Sequence, residues 1–409
     1  MKTILISSYA CEPNSGSEPG IGWNWANELS KYYKVIVITR ENNKEKIENN
    51  YKDNKNLKFF YCEVPKILRF WKKGQRGIHL YYWLWQKKCY SIAKKICKEY
   101  SPDYSMTLTF GNMWLPTYMD KLPCKFIWGP LGGGEGVPKE LLKAVGFKQK
   151  ILEIIRNINK IIPITNLRFK SICKNSHIII VRTKDSLNCI PKKYKDKCIT
   201  ILETGISTDD IEKFKVILEN NLDNEKKDIN LVISGRMVQF KLFGLAVDSF
   251  SKLCDYYPNI KLNVIGDGPE RSKLLKKVDD LHINNNVVFH GKLSRDEALK
   301  IMSNCNAVII SSAREGGSWI LFESMLLKKP IVCFDTSGMS MTVDNTTGRI
   351  IPVMKYEKAI DVFAEKCKEL LNNPELTLEL GNNAYKKVIN EFTWENRVKL
   401  LINKMEEEK

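Results

Sequence analysis

The strongest constraint on this 409-residue chain is a strand-like apolar run that recurs in two series with helical segments between. The first series is Thr3 to Tyr9, Lys34 to Thr39, Lys58 to Val64, Tyr104 to Phe110, Lys125 to Gly129 and Ser176 to Arg182. The second is Ile229 to Gly235, Lys261 to Gly266, Val287 to Gly291, Ala307 to Ser312, Pro330 to Phe334 and Arg349 to Val353. Short Val- and Ile-rich runs alternating with helices predict parallel sheets covered on both faces. Two series predict an α/β protein of two doubly wound parallel-sheet domains, 1–195 and 196–391, and the length is too great for one ordinary core. The break is expected near Lys192 to Lys197 or in the polar tract Glu219 to Asp228.

Composition removes several classes. Hydrophobic residues are 43% and charged residues 27%, as in a globular protein. The apolar run at Met1 to Tyr9 is too short for a signal peptide or membrane span, which predicts a cytoplasmic location. Twelve cysteines are scattered without a C-x-x-C pair, so they read as reduced core thiols. The four histidines are not grouped at metal-ligand spacing, and no Asp-x-Asp occurs, so no metal site is expected. There is no G-x-S-x-G elbow and no G-x-x-x-x-G-K-[ST] phosphate loop.

A net charge of +18 points to an anionic partner: a nucleic acid, an anionic membrane or a phosphorylated small molecule. From Pro65 to Tyr100 there are ten Lys/Arg against Glu99 alone, interleaved with aromatic residues; Tyr82, Trp85, Cys89, Ile92 and Ile96 follow helical spacing. A second basic stretch, Lys139 to Lys174, carries nine Lys/Arg against Glu140 and Glu153. Basic amphipathic helices of this kind suit peripheral attachment to anionic lipid, and the expected partner is therefore the inner face of a cytoplasmic membrane. A basic nucleic-acid-binding protein is the non-enzyme alternative, but no recognition motif is present and no nucleic-acid partner is expected.

Open α/β sheets bind ligands beyond the carboxyl ends of their strands, so functional residues belong in loops that follow strands. Four loops qualify. After the first strand comes Gly16-Ser17-Glu18, in a glycine-rich turn whose spacing is not G-x-G-x-x-G. Gly129 to Gly136 follows the fifth, with Gly133, Gly134 and Glu135 at its centre. Gly235-Arg236 and Lys241 follow the strand Leu231 to Ser234, where the two cations suit a charged leaving group. Glu315-Gly316-Gly317-Ser318-Trp319-Ile320 follows Ala307 to Ser312 and opens a helix whose N-terminus suits a phosphate, with Glu323 eight residues after Glu315. Gly266-Asp267-Gly268-Pro269 reads as a turn of mainly structural use.

In this order the loops resemble those of the family 4 retaining glycosyltransferases, which use nucleotide sugars and have the GT-B fold of two facing Rossmann-like domains. Glu203-Thr204-Gly205-Ile206 and the closing Phe392-Thr393-Trp394-Glu395 extend the likeness over essentially the whole chain. The resemblance implies a C-terminal helix, 392–409, crossing back to an N-terminal acceptor-binding domain, and a C-terminal donor-binding domain. It implies that Arg236 and Lys241 neutralise the donor diphosphate, and that the amides near Trp319 and Ile320, with Gly16, approach it. Glu323 would bind the ribose and Glu315 would contact the transferred sugar. The expected reaction is transfer of a hexose-type residue to a glycan or lipid-linked saccharide, without metal or other cofactor, in capsule or lipopolysaccharide assembly. Another GT-B enzyme, such as a sugar-nucleotide epimerase or a phosphorylase, is the alternative. The family often carries a histidine after the fourth strand, where this chain has Met106 to Asn112.

Overall fold

The computed structural model describes residues 1–51, 54–72, 74, 76–159, 166–220 and 229–407. The chain divides into two compact units. The first comprises 1–134, 158–205 and 394–409, and the second 135–157 and 206–393.

The first unit holds β1 (Thr3–Ser7), β2 (Lys34–Arg40), β3 (Leu57–Cys62), β4 (Tyr104–Thr107), β5 (Lys125–Leu131), β6 (Ser176–Val181) and β7 (Cys198–Thr200). They form one parallel sheet in the order β3-β2-β1-β4-β5-β6-β7. The second unit holds β8 (Asn230–Ser234), β9 (Lys261–Ile265), β10 (Val287–Gly291), β11 (Ala307–Ile310), β12 (Ile331–Phe334) and β13 (Gly348–Ile351). Their order is β10-β9-β8-β11-β12-β13, again all parallel. Central strands such as β4, β11 and β12 are buried along their length, as helices on both faces require. Strand order reverses between β1 and β4 in one sheet and between β8 and β11 in the other. Each reversal opens a crevice at the carboxyl edge.

Three expectations change. The first boundary lies at Gly205/Ile206, not 195/196, because β7 still completes the first sheet; it is only three residues long and was not legible. The alternative break point at 221–228 lies outside the described residues. Residues 135–157, read as part of the first domain, belong to the second unit: Val137, Leu141 and Val145 are buried in its core with Met237, Leu242 and Phe243. At about 1.5–3 kcal/mol for each buried aliphatic side chain, that attachment is firm. Finally, the helix Ile78–Tyr100 does not offer its apolar stripe to lipid. Tyr82, Trp85, Cys89 and Ile96 are buried in the first unit's core, and Trp85 Nε1 donates to the Cys62 carbonyl at 2.9 Å.

The closing helix spans Trp394–Glu407 and belongs to the first unit. It lies against the helix Ser17–Leu29, with Val398, Leu401 and Met405 buried. Arg397, also buried, donates from Nε to the Thr204 carbonyl at 3.3 Å.

Candidate active site at the carboxyl edge of the second sheet

β8 and β11 are hydrogen-bonded neighbours, so the loops that follow them meet at the reversal of strand order. After β8, Gly235 N–H donates to the Ile265 carbonyl, Met237 N–H to Asp267 and Glu270 N–H to Met237. The Gly266-Asp267-Gly268 turn thus braces this loop. A Cβ on Gly266 would lie 2.0 Å from the Gly235 carbonyl oxygen, so the two loops approach as closely as glycine permits. Arg236 is exposed, and its guanidinium makes no hydrogen bond or ion pair among the described residues. Lys241 ends the short turn Gln239–Lys241. Its carbonyl, and that of Leu242, accept from Ser311 Oγ at 2.9 Å each, tying the β8 loop to the end of β11.

Lys241 Nζ lies 3.2 Å from Glu315 Oε2, and both side chains are 15% exposed. One cation and one carboxylate that the sequence placed in separate loops are therefore a single ion pair at the crevice. Glu315 also accepts from Ser312 Oγ at 3.4 Å. Gly316, Gly317 and Ser318 lead into the helix Trp319–Leu326, where Ile320 is buried. No side chain caps that helix, so its first N–H groups and the positive end of its dipole are left for an anion. Trp319 Nε1 is buried without a hydrogen-bond partner among the described residues. Glu323 is already engaged: Oε1 accepts from Arg295 Nε at 2.7 Å, and Arg295 Nη1 reaches Asp210 Oδ1 at 3.1 Å.

Three supporting residues were missed in the sequence. Arg295 lies outside the four loops, in the helix Arg295–Ser303. Gly338 follows β12; its N–H donates to the Glu315 carbonyl at 2.9 Å, and a Cβ there would sit 1.8 Å from the Gly316 carbonyl oxygen. Gly338→Ala is expected to push the Glu315 loop aside and lower kcat/KM about 10²-fold, as a displacement near 1 Å does; steady-state kinetics with an unchanged melting temperature would separate this from unfolding.

The third is Glu153, noted in the sequence only as a stray acid. It is fully buried and accepts from Val137 N–H at 3.1 Å, Gln149 Nε2 at 2.7 Å and Arg156 Nη1 at 2.9 Å. Arg314, next to Glu315, lies 3.4 Å from it and 4.3 Å over the Phe240 ring. Burial, then Arg156, lower the Arg314 pKa to about 10, while Glu153, Glu135 and Glu315 oppose the shift. Arg314 is therefore charged at neutral pH. Glu135, at the centre of the loop after β5, is buried near this guanidinium.

In the first unit the corresponding crevice lies between β1 and β4. Gly16 precedes the helix Ser17–Leu29, and Ser17 has a left-handed φ of 56°. The Glu18 carboxylate accepts from the Phe110 N–H just after β4. Burial, then the Glu203 carboxylate, raise its pKa, with the Phe110 amide and Arg182 opposing. Gly133 and Gly134 are held by the scaffold: Trp114 Nε1 donates to the Gly133 carbonyl at 3.1 Å, and Gly134 N–H donates to Ser186 Oγ at 3.3 Å. After the fourth strand, where the resembled family often has a histidine, Phe110 is met by His79, with ring centroids 6.3 Å apart.

Residues 215–387, which hold every loop of the β8/β11 crevice, match the model of glycosyl transferases group 1. This stretch is similar to that family. An uncharacterized glycosyltransferase of Methanocaldococcus jannaschii is 28% identical over 244 residues, covering 54% of this chain and 66% of the relative. The capsular polysaccharide biosynthesis glycosyltransferase CapM of Staphylococcus aureus is 32% identical over 208 residues, covering 49% and 53%. The chain thus spans less than two thirds of the length of either relative. Sucrose-phosphate synthase of Thermosynechococcus elongatus shares the fold at a TM-score of 0.65 and 14% identity, over 100% of this chain and 99% of that one. The fold is GT-B: two α/β units with parallel sheets.

Proposed function

We propose that the chain is a retaining glycosyltransferase that moves a hexose-type sugar from a nucleoside diphosphate sugar to a glycan or lipid-linked saccharide. The observation that carries this reading is the group at the β8/β11 reversal: Arg236, the Lys241–Glu315 pair and an uncapped helix N-terminus. Such a group suits a diphosphate leaving group. As the anomeric carbon–oxygen bond breaks, negative charge grows on the departing phosphate, where fixed cations and N–H groups stabilise it most. The acceptor oxygen then bonds to the same face of the sugar and its proton passes to the departing phosphate oxygen. With these cations on the diphosphate the reaction needs no metal.

Incubation with a panel of nucleotide sugars and a saccharide acceptor, followed by NMR of the product, tests the reading. Transfer with the donor's anomeric configuration, undiminished by EDTA, is expected. Release of an epimerised or phosphorolysed sugar with no glycoside formed would overturn it.

The relative named for capsular polysaccharide biosynthesis supports a place in bacterial surface polysaccharide assembly. Attachment to the inner face of the cytoplasmic membrane is part of the same proposal, now carried by a different helix. In Phe147–Asn159 the acid Glu153 faces inward, while Phe147, Leu152 and Ile154 are 77%, 55% and 55% exposed. Ile151 and Ile155 are exposed too, and Lys148 lies beside them. An apolar face with basic neighbours suits an anionic bilayer. Among the described residues no helix is long and apolar enough to cross one. Lys160 of the second basic stretch lies outside the described residues. The protein is expected to co-sediment with phosphatidylglycerol vesicles at low salt, and Ile151→Asp/Ile155→Asp to abolish it; equal sedimentation of both would refute this attachment.

A further inference from the structure

We infer that the first unit binds its acceptor through a phosphate-bearing lipid carrier, held in a basic cavity at the carboxyl ends of β2 and β3. The inference rests on the glycosyltransferase reading and gives the chemical class of its acceptor. The cavity, about 610 Å³, is lined by Arg40, Lys66, Arg69 and Lys72 against a single carboxylate, Glu63. Its volume lies in the range of small-molecule sites.

Glu63 does not cancel the surplus charge. One oxygen accepts from the Val64 N–H at 2.8 Å and from the Tyr81 hydroxyl, and the other pairs with Arg69 at 3.1 Å. Arg40 is held at the end of β2 by its Nε, which donates to the Tyr9 carbonyl at 2.8 Å, and by the Tyr9 ring 4.0 Å away. That leaves its terminal nitrogens without a hydrogen-bond partner among the described residues. Lys66 Nζ is likewise unpaired among them, and Lys72 Nζ donates to the Gly74 carbonyl at 3.2 Å and lies 4.9 Å over the Tyr81 ring, with no carboxylate partner among the described residues. Guanidinium and ammonium groups converging on one cavity suit a phosphate or diphosphate.

The same turn supplies the opposite chemistry at the rim. Ile67 is 80% exposed, Phe70 79% and Leu68 49%, alternating with the basic residues. A free phosphate or a plain saccharide would leave these side chains in water, whereas a hydrocarbon chain attached to the phosphate would cover them. The sheet order β3-β2-β1 puts the cavity on the edge that also carries the Gly16-Ser17-Glu18 loop.

The test is calorimetric titration of the full chain with farnesyl diphosphate, inorganic pyrophosphate, phosphatidylglycerol vesicles and UDP. Farnesyl diphosphate is expected to bind at least tenfold tighter than pyrophosphate. Lys66→Glu is expected to weaken it at least tenfold, and Phe70→Ser to bring it to the pyrophosphate level; both residues lie at the surface, so the melting temperature, which reports folding, and UDP binding should both be unchanged. Farnesyl diphosphate binding no tighter than pyrophosphate, or unaltered by Lys66→Glu, would overturn the inference. So would loss of vesicle binding in Lys66→Glu with farnesyl diphosphate binding intact, which would assign the cations to the bilayer surface. Absence of UDP binding to the wild type would instead count against the donor reading, since that site lies in the other unit.

Discussion

Arg236→Ala is expected to lower kcat about 10²- to 10³-fold, the loss seen when one donor aimed at developing charge is removed. The side chain is exposed and makes no hydrogen bond or ion pair among the described residues, so its removal should leave the melting temperature unchanged. Steady-state kinetics beside a thermal melt checks both halves. Arg236→Lys should recover part of the loss, because an ammonium restores the charge but not the paired N–H geometry. Near-normal turnover in Arg236→Ala would remove the cation on which the donor site depends. The neighbouring Lys241→Ala would be less clean, since it also strips the half-buried Glu315 of its partner at 3.2 Å.

Glu153→Ala should have the largest effect on stability. It removes the carboxylate between Arg314 and Arg156 and leaves the mostly buried Arg314 without its main counter-charge. Breaking one side of a buried ion pair costs about 3–5 kcal/mol. For a unit of this size that corresponds to a fall in melting temperature of roughly 6–20 °C. Glu153→Gln keeps the shape and part of the hydrogen bonding, and should lose less. The same change should slow turnover, because Arg314 directly precedes Glu315 in the loop that positions Lys241. A melt of Glu153→Ala within 2 °C of wild type, by the same scale about 1 kcal/mol or less, would show that Arg314 is held by something else.

The two parallel sheets were legible because parallel strands are near-continuous apolar runs, and the rule placing ligands beyond their carboxyl ends is general; the order of strands within each sheet came only from the structure. The loops holding Arg236 and Glu315 followed from that rule. What could not be read was contact across the sequence. Glu315 and Lys241 looked like two separate ligand-binding residues, yet they form one pair, which gives Glu315 a use that geometry supplies: it fixes where the Lys241 charge sits. Gly338 and Arg295 lie after β12 and in the helix Arg295–Ser303, with no local signal that they brace this site. The helix Phe147–Asn159 defeated the ordinary pattern, in which apolar faces turn inward, because here a glutamate is inside and the isoleucines are out. In Ile78–Tyr100 the pattern held, and the aromatic stripe was core.

The interleaving of the two units has a consequence for how the polypeptide is made. Residues 135–157 leave the ribosome well before the core that will cover Val137, Leu141 and Val145, while the first sheet waits for the helix Trp394–Glu407 before its last buried face is closed. Neither unit can finish folding in the order in which it is translated. A cut placed at Gly205 would therefore yield two incomplete fragments instead of two domains, and co-expression of such halves should recover soluble protein only when both are present.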